Sequence, residues 1–113
     1  MNIQEVYECI EANNTTQIIP IIEYIQTSFP SCIFDEAITK KSRIPTWKLD
    51  NEYIVIGCLK HYITIYFSKA SAVKIIAENT PYCRALKGCI NFSYKRDLPY
   101  DAIYQGIDHC FSK

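Results

Sequence analysis

The chain has 113 residues, of which 49 % are apolar and 21 % charged, with twelve acids balanced by twelve bases. That length and apolar content suit one domain, spanning 1–113, with one core, and exclude a disordered chain. A net charge of zero gives no general attraction to nucleic acid or to an anionic membrane, so neither is an expected partner.

The longest apolar runs, 18–22 and 53–59, fall far short of the ~20 residues of a membrane-spanning helix. The opening Met1-Asn2-Ile3-Gln4-Glu5 has neither the basic start nor the apolar centre of a signal peptide. A cytoplasmic location is the expectation. The six cysteines, Cys9, Cys32, Cys58, Cys83, Cys89 and Cys110, are scattered without a C-x-x-C pair. In a reducing compartment they read as small apolar core residues. The alternative, a Cys83/Cys89 redox or metal pair, has wider spacing and fewer ligands than a metal site needs. The chain has three glycines, and neither phosphate-loop pattern, G-x-G-x-x-G nor G-x-x-x-x-G-K-[ST], is present.

Along the chain, Ile3, Val6, Tyr7 and Ile10 recur at helical spacing between Glu5, Glu8 and Glu11, predicting a short amphipathic helix over 3–12. Thr15 or Thr16 can cap a second helix, whose stripe is Ile18, Ile21, Ile22, Ile25 and Phe29. Pro20 sits near its start and Pro30 ends it. From Ile33 to Phe67 β-branched and aromatic residues dominate. Asp50-Asn51 is a hairpin turn, and Tyr53 to Leu59 and Tyr62 to Phe67 are strands. Gly57 predicts a bulge or a close backbone approach. Alternation sets Tyr62, Thr64 and Tyr66 on one face and His61, Ile63, Ile65 and Phe67 on the other. Ser68 to Asn79 reads as a helix with Ala70, Val73, Ile76 and Ala77 inward, and 87–94 as a strand. Pro99 can open a last helix striped by Ile103, Ile107, Cys110 and Phe111, with Asp97 close enough to cap it. This order predicts a two-layer α+β domain: an antiparallel sheet of about five strands, with helices at both chain ends packed on one face.

The stretch Arg43 to Phe67 holds the only Trp, a Lys-His pair and several tyrosines. Trp47, Tyr53, Tyr62, Tyr66 and Tyr94 can line a concave sheet face. Large rings with polar tips suit a ligand pocket or an interface, and equally the closing of a sheet–helix core. His61 can bind a ligand or a metal, or be a corner histidine with a satisfied hydrogen bond. Lys60 beside it can hold an anion, and Lys87-Gly88 can bring a cation and open backbone to the same region. No nucleophile or carboxylate partner near His61 points to catalysis. His109 reads as a charge at a helix C-terminus. The candidate ligand-binding set is thus Trp47, Lys60, His61, Tyr62, Tyr66 and Lys87, with no catalytic residue. An exposed aromatic face also makes a homodimer an expectation.

Several segments, taken in order, resemble the YdhG-like family, small bacterial domains with a fold similar to frataxin. They are Tyr7 with Ile18-Ile19-Pro20-Ile21-Ile22-Glu23-Tyr24-Ile25, then Pro30 and Glu36-Ala37-Ile38. Ile44-Pro45-Thr46-Trp47 follows, then Leu59-Lys60-His61-Tyr62-Ile63-Thr64-Ile65-Tyr66. Lys87-Gly88-Cys89-Ile90-Asn91-Phe92 and Leu98-Pro99-Tyr100 complete the set. The resemblance implies a non-enzymatic iron chaperone for iron–sulfur assembly, with that machinery as partner and weakly bound iron as its only cofactor. By position it points to Glu5, Glu8, Glu11, Asp35 and Glu36 as metal ligands. Carboxylates suit Fe²⁺, and Glu8 and Glu11 share a helix face with Glu5 one turn back. The plainer reading of the same acids is a solvated surface. The alternative function is a module that binds a protein or small ligand on the aromatic sheet face.

Overall fold

Ile18, Ile21, Ile22 and Ile25 recur at three- and four-residue steps, and they wind into the first complete helix of the computed structural model, which describes residues 4, 5, 7, 8, 16–35, 45–58, 62–80, 83–93 and 95–112. This helix, α1 (Ile19–Ser28), buries Ile21, Ile22 and Ile25 and carries Pro20 in its first turn, where no N–H is needed. Phe29 closes it by donating its N–H to the Ile25 carbonyl at 3.0 Å. The expected threonine cap is not made by Thr16. A 3-10 turn over Thr16–Ile18 runs straight into α1, so the N-cap residue is Ile18, already in helical conformation. Thr15 lies outside the described residues. Of the helix expected over 3–12, Gln4, Glu5, Tyr7 and Glu8 are described, and all four are helical.

Six strands follow: β1 (Ile33–Phe34), β2 (Thr46–Leu49), β3 (Glu52–Cys58), β4 (Tyr62–Phe67), β5 (Arg84–Ala85) and β6 (Cys89–Ser93). They form one sheet in the order β1-β2-β3-β4-β6-β5, with every neighbouring pair antiparallel. The count exceeds the expected five because β1 and β5 are two residues each, too short for alternation to mark them in the sequence. Asp50 and Asn51 join β2 to β3 as expected, and Asp50 adopts φ 55°, a left-handed value an aspartate tolerates in such a turn. No bulge forms at Gly57, since the register passes unbroken through Ile56–Ile65, Gly57–Thr64 and Cys58–Ile63.

Two further helices, α2 (Ala70–Glu78) and α3 (Tyr100–Phe111), complete the described order: α1, four strands, α2, two strands, α3. In α2 the buried side chains are Ala72, Val73 and Ile76. Ala70, expected inward, is exposed, and Ala77 is half-buried. The contact with α3 fixes this face: Gly106 of α3 leaves room for Ile76 and for the carbonyl of Ala72. Pro99 stands just before α3 as its N-cap, and Asp97 does not cap it. The chain enters instead through a turn in which the Tyr100 N–H reaches the Leu98 carbonyl.

The buried residues of α1, α2 and α3 join Trp47, Ile54, Ile56, Ile63, Ile65, Phe67, Ile90 and Phe92 in a single cluster. These strand residues alternate along β2, β3, β4 and β6, so one sheet face supplies them all. The result is a two-layer α+β architecture. No described helix is long and apolar enough to cross a membrane.

Candidate functional site

The same alternation puts a second set of side chains on the opposite sheet face. Register aligns Lys48 with Tyr53, Val55 with Tyr66 and Tyr66 with Cys89. A second row aligns Gly57, Thr64, Asn91 and Arg84, and Tyr62 stands opposite Ser93. Three rings therefore share this face: Tyr53, Tyr62 and Tyr66 are 42 %, 37 % and 41 % exposed. Ile33, which pairs with Lys48 at the β1 edge, is 68 % exposed on the same side. Thr64, between Tyr62 and Tyr66, is buried, as is Cys89 beside Tyr66. The face thus offers aromatic rings with half-buried Asn91 and exposed Ser93 beside them. That surface can stack on a flat ligand and hydrogen-bond its edges.

Trp47 does not belong to it. It pairs with Ile54 and alternates with Thr46 and Lys48, which turns its ring to the helix side of the sheet. There it is fully buried, 5.3 Å centroid to centroid from the half-buried Phe34, and its Nε1 has no hydrogen-bond partner. Lys87 is exposed in the bend before β6, next to Gly88, whose carbonyl accepts from the Phe67 N–H at 3.0 Å. Lys60, His61 and Tyr94 lie outside the described residues.

Three of the acids expected to hold iron are described. Glu5 and Glu8 are exposed at helical positions, whereas Asp35 follows β1 and takes an ion pair of 3.3 Å from Lys48. Glu11 and Glu36 lie outside the described residues. Among the described residues no group of three or more His, Cys, Asp or Glu could hold a metal ion. Cys32, Cys83, Cys89 and Cys110 are free thiols, with Cys89 and Cys110 buried. Burial raises the Cys32, Cys83 and Cys110 thiols above their ordinary range.

The helical layer holds polar groups that sequence reasoning missed. Tyr24 of α1 donates to Asp108 of α3 at 2.6 Å and stacks on Tyr104 with ring centroids 4.0 Å apart. Burial, then the bond to Asp108, raises the Tyr24 hydroxyl. Burial, then Asp101 and Glu23, raises Tyr104. His109 ends α3 as expected, and its Nε2 lies 2.7 Å from Ser71 Oγ at the start of α2. A shallow cleft of about 530 Å³ opens at the start of α3, lined by Asn79, Pro99, Tyr100, Asp101 and Gln105 among others. No sequence signal marks these pairs, because their members stand far apart in the chain. No family model, curated protein or solved structure matches this chain.

Proposed function

We propose that the chain is a small cytoplasmic, non-enzymatic binding domain that recognises its partner on the sheet face bearing Tyr53, Tyr62 and Tyr66. One observation supports this above the others: the register gathers three partly exposed tyrosines on a single face, while the only tryptophan goes to the core. Exposed rings on a rigid sheet lose little side-chain freedom on binding, which favours their use in recognition. The Ser71–His109 pair does not redirect the reading to catalysis. Both residues are exposed, and neither lines the cleft at the start of α3. The test is amide NMR of the chain against a set of metabolites and nucleotides. Shifts gathered on Tyr53, Val55, Tyr62, Tyr66 and Asn91 are expected. Shifts gathered on α1 and α3 instead would end this reading.

A second reading follows from the resemblance to the YdhG-like family: a frataxin-like fold that carries iron for iron–sulfur assembly. Its structural support is that Glu5 and Glu8 are three residues apart and both exposed on a helical segment. An anaerobic Fe²⁺ titration followed by amide NMR tests it. Silence at Glu5, Glu8 and Asp35 would remove iron from consideration.

A further inference from the structure

The charges of this chain cancel in total but not in place. The helices α1, α2 and α3 carry Glu23, Glu78, Asp101 and Asp108 against Lys74, with Lys69 just before α2 donating to the His109 and Ser112 carbonyls. The six strands carry Lys48 and Arg84 against Glu52 alone. Glu52 is not on the tyrosine face: it shares the parity of Ile54 and Ile56 and accepts a hydrogen bond from Ser68 Oγ. Lys48 and Arg84 are on it, beside Tyr53 and Asn91. Asp35 at the β1 edge is engaged by Lys48. Exposed Lys87 and Lys95 flank the two ends of β6, with Arg96 and then Asp97 beyond the second. Among the described residues the tyrosine face thus carries Arg84 beyond its Lys48–Asp35 pair, and the three helices carry more acids than bases.

We infer that this face binds single-stranded nucleic acid, an inference that rests on its reading as the recognition surface. Unpaired bases stack on Tyr62 and Tyr66, which stand about 13 Å apart along β4, with Tyr53 diagonal to Tyr66 on the next strand. Arg84 and Lys87 meet phosphates at the β5–β6 side. Asn91 and Ser93 face the rings from β6 and offer donors and acceptors to base edges. A duplex hides the base faces that the tyrosines would engage, so the unpaired strand is the form that fits. A second copy of this chain fits less well. In a two-fold face-to-face contact Lys48 stays paired with Asp35, and Arg84 meets no strand acid on the other copy's tyrosine face. An apolar peptide would cover Asn91 and Ser93 beside the rings, and these would be buried without partners.

The probe is a short fluorescein-labelled single-stranded oligonucleotide of mixed sequence, titrated with the full chain at low ionic strength and read by anisotropy and amide NMR. Saturable binding is expected, with shifts on Tyr62, Tyr66 and Asn91. Tyr62→Ala and Tyr66→Ala should each weaken it roughly tenfold, as loss of one stacked base does. Tyr66→Leu keeps the apolar bulk and should weaken it similarly. Arg84→Ala should reduce the slope of log K against log salt by about 0.7. No anisotropy change, or binding that the tyrosine variants leave intact, would overturn the inference. So would a tyrosine-dependent dimer seen by sedimentation that the oligonucleotide does not dissociate. Metabolite-induced shifts on the same residues with no oligonucleotide binding would end this inference and leave the recognition surface standing. Shifts confined to α1 and α3 would end both.

Discussion

Ile76 of α2 occupies the space that a side chain at Gly106 of α3 would fill. A Cβ at position 106 would lie 2.5 Å from Ile76 Cδ1, 2.7 Å from its Cγ1 and 3.3 Å from the carbonyl oxygen of Ala72. The glycine therefore sets how closely the two helices approach, and with it the face that α2 turns inward. Gly106→Ala gains helix propensity of up to about 1 kcal/mol. It also forces a fully buried isoleucine to move against backbone, and such overpacking costs about 1–3 kcal/mol. The net expectation is a loss of about 1 kcal/mol in urea denaturation. Adding Ile76→Val removes Cδ1 but keeps Cγ1, so the double variant should lose less than the sum of the two single losses. A double variant whose losses simply add would show that the two positions do not press on each other.

Ser68 joins the end of β4 to both neighbouring layers. Its Oγ donates to Glu52, accepts from the Tyr53 N–H at 2.9 Å and lies 3.6 Å from the buried Cys110 sulfur. Ser68→Ala leaves the Tyr53 N–H and a carboxylate oxygen of Glu52 without this partner. A hydrogen bond to a charged group is worth about 1.5–3 kcal/mol, and partial exposure places the expected loss near the lower end. Adding Glu52→Gln to Ser68→Ala should cost little more. Full additivity in chemical denaturation would contradict a shared network.

Much of the fold was legible because it rests on local periodicity. The isoleucines of α1 and Ile63, Ile65 and Phe67 of β4 are buried as their spacing predicts, although Thr64 on the other face is buried as well. Trp47 was legible in principle. The run Thr46-Trp47-Lys48-Leu49 alternates polar and apolar, which sends Trp47 inward and away from the tyrosines. Alanines carry little hydrophobic contrast, so the sequence could not choose between Ala70 and Ala72, and a glycine thirty-odd residues away decided it. Tyr24–Asp108 and Ser71–His109, separated by 84 and 38 residues, depend on how α1, α2 and α3 dock, and no local pattern encodes that.

Alkali should loosen the fold. Burial raises the thiols of Cys32, Cys83 and Cys110 from an ordinary 9.0. The hydroxyls of Tyr7, Tyr24, Tyr100 and Tyr104 are raised from an ordinary 10.0, again first by burial. A group whose pKa is higher folded than unfolded holds its proton longer in the native state. The stability it contributes is intact below the unfolded value and is lost as pH rises through the folded one. Each such group steepens the fall by at most about 1.4 kcal/mol per pH unit. Urea midpoints should therefore decline between about pH 8 and pH 11, and less steeply in Cys110→Ala. A midpoint that rises over that window would refute the assignment.

Trp47 separates folding from binding as an optical probe. The indole is fully buried on the helix side of β2, packed on Phe34, while Tyr53, Tyr62 and Tyr66 stand on the other side of the sheet. Its emission should be blue-shifted relative to the denatured chain and only weakly quenched by acrylamide, and it should report unfolding with the same midpoint as circular dichroism. A ligand on the tyrosine face meets the far side of the sheet and leaves the indole environment unchanged. Binding there should shift the amides of Tyr62 and Tyr66 with little change in Trp47 emission. Strong acrylamide quenching in the native state would show that Trp47 reaches solvent, and the division of the sheet into a core face and a tyrosine face would then fail at β2.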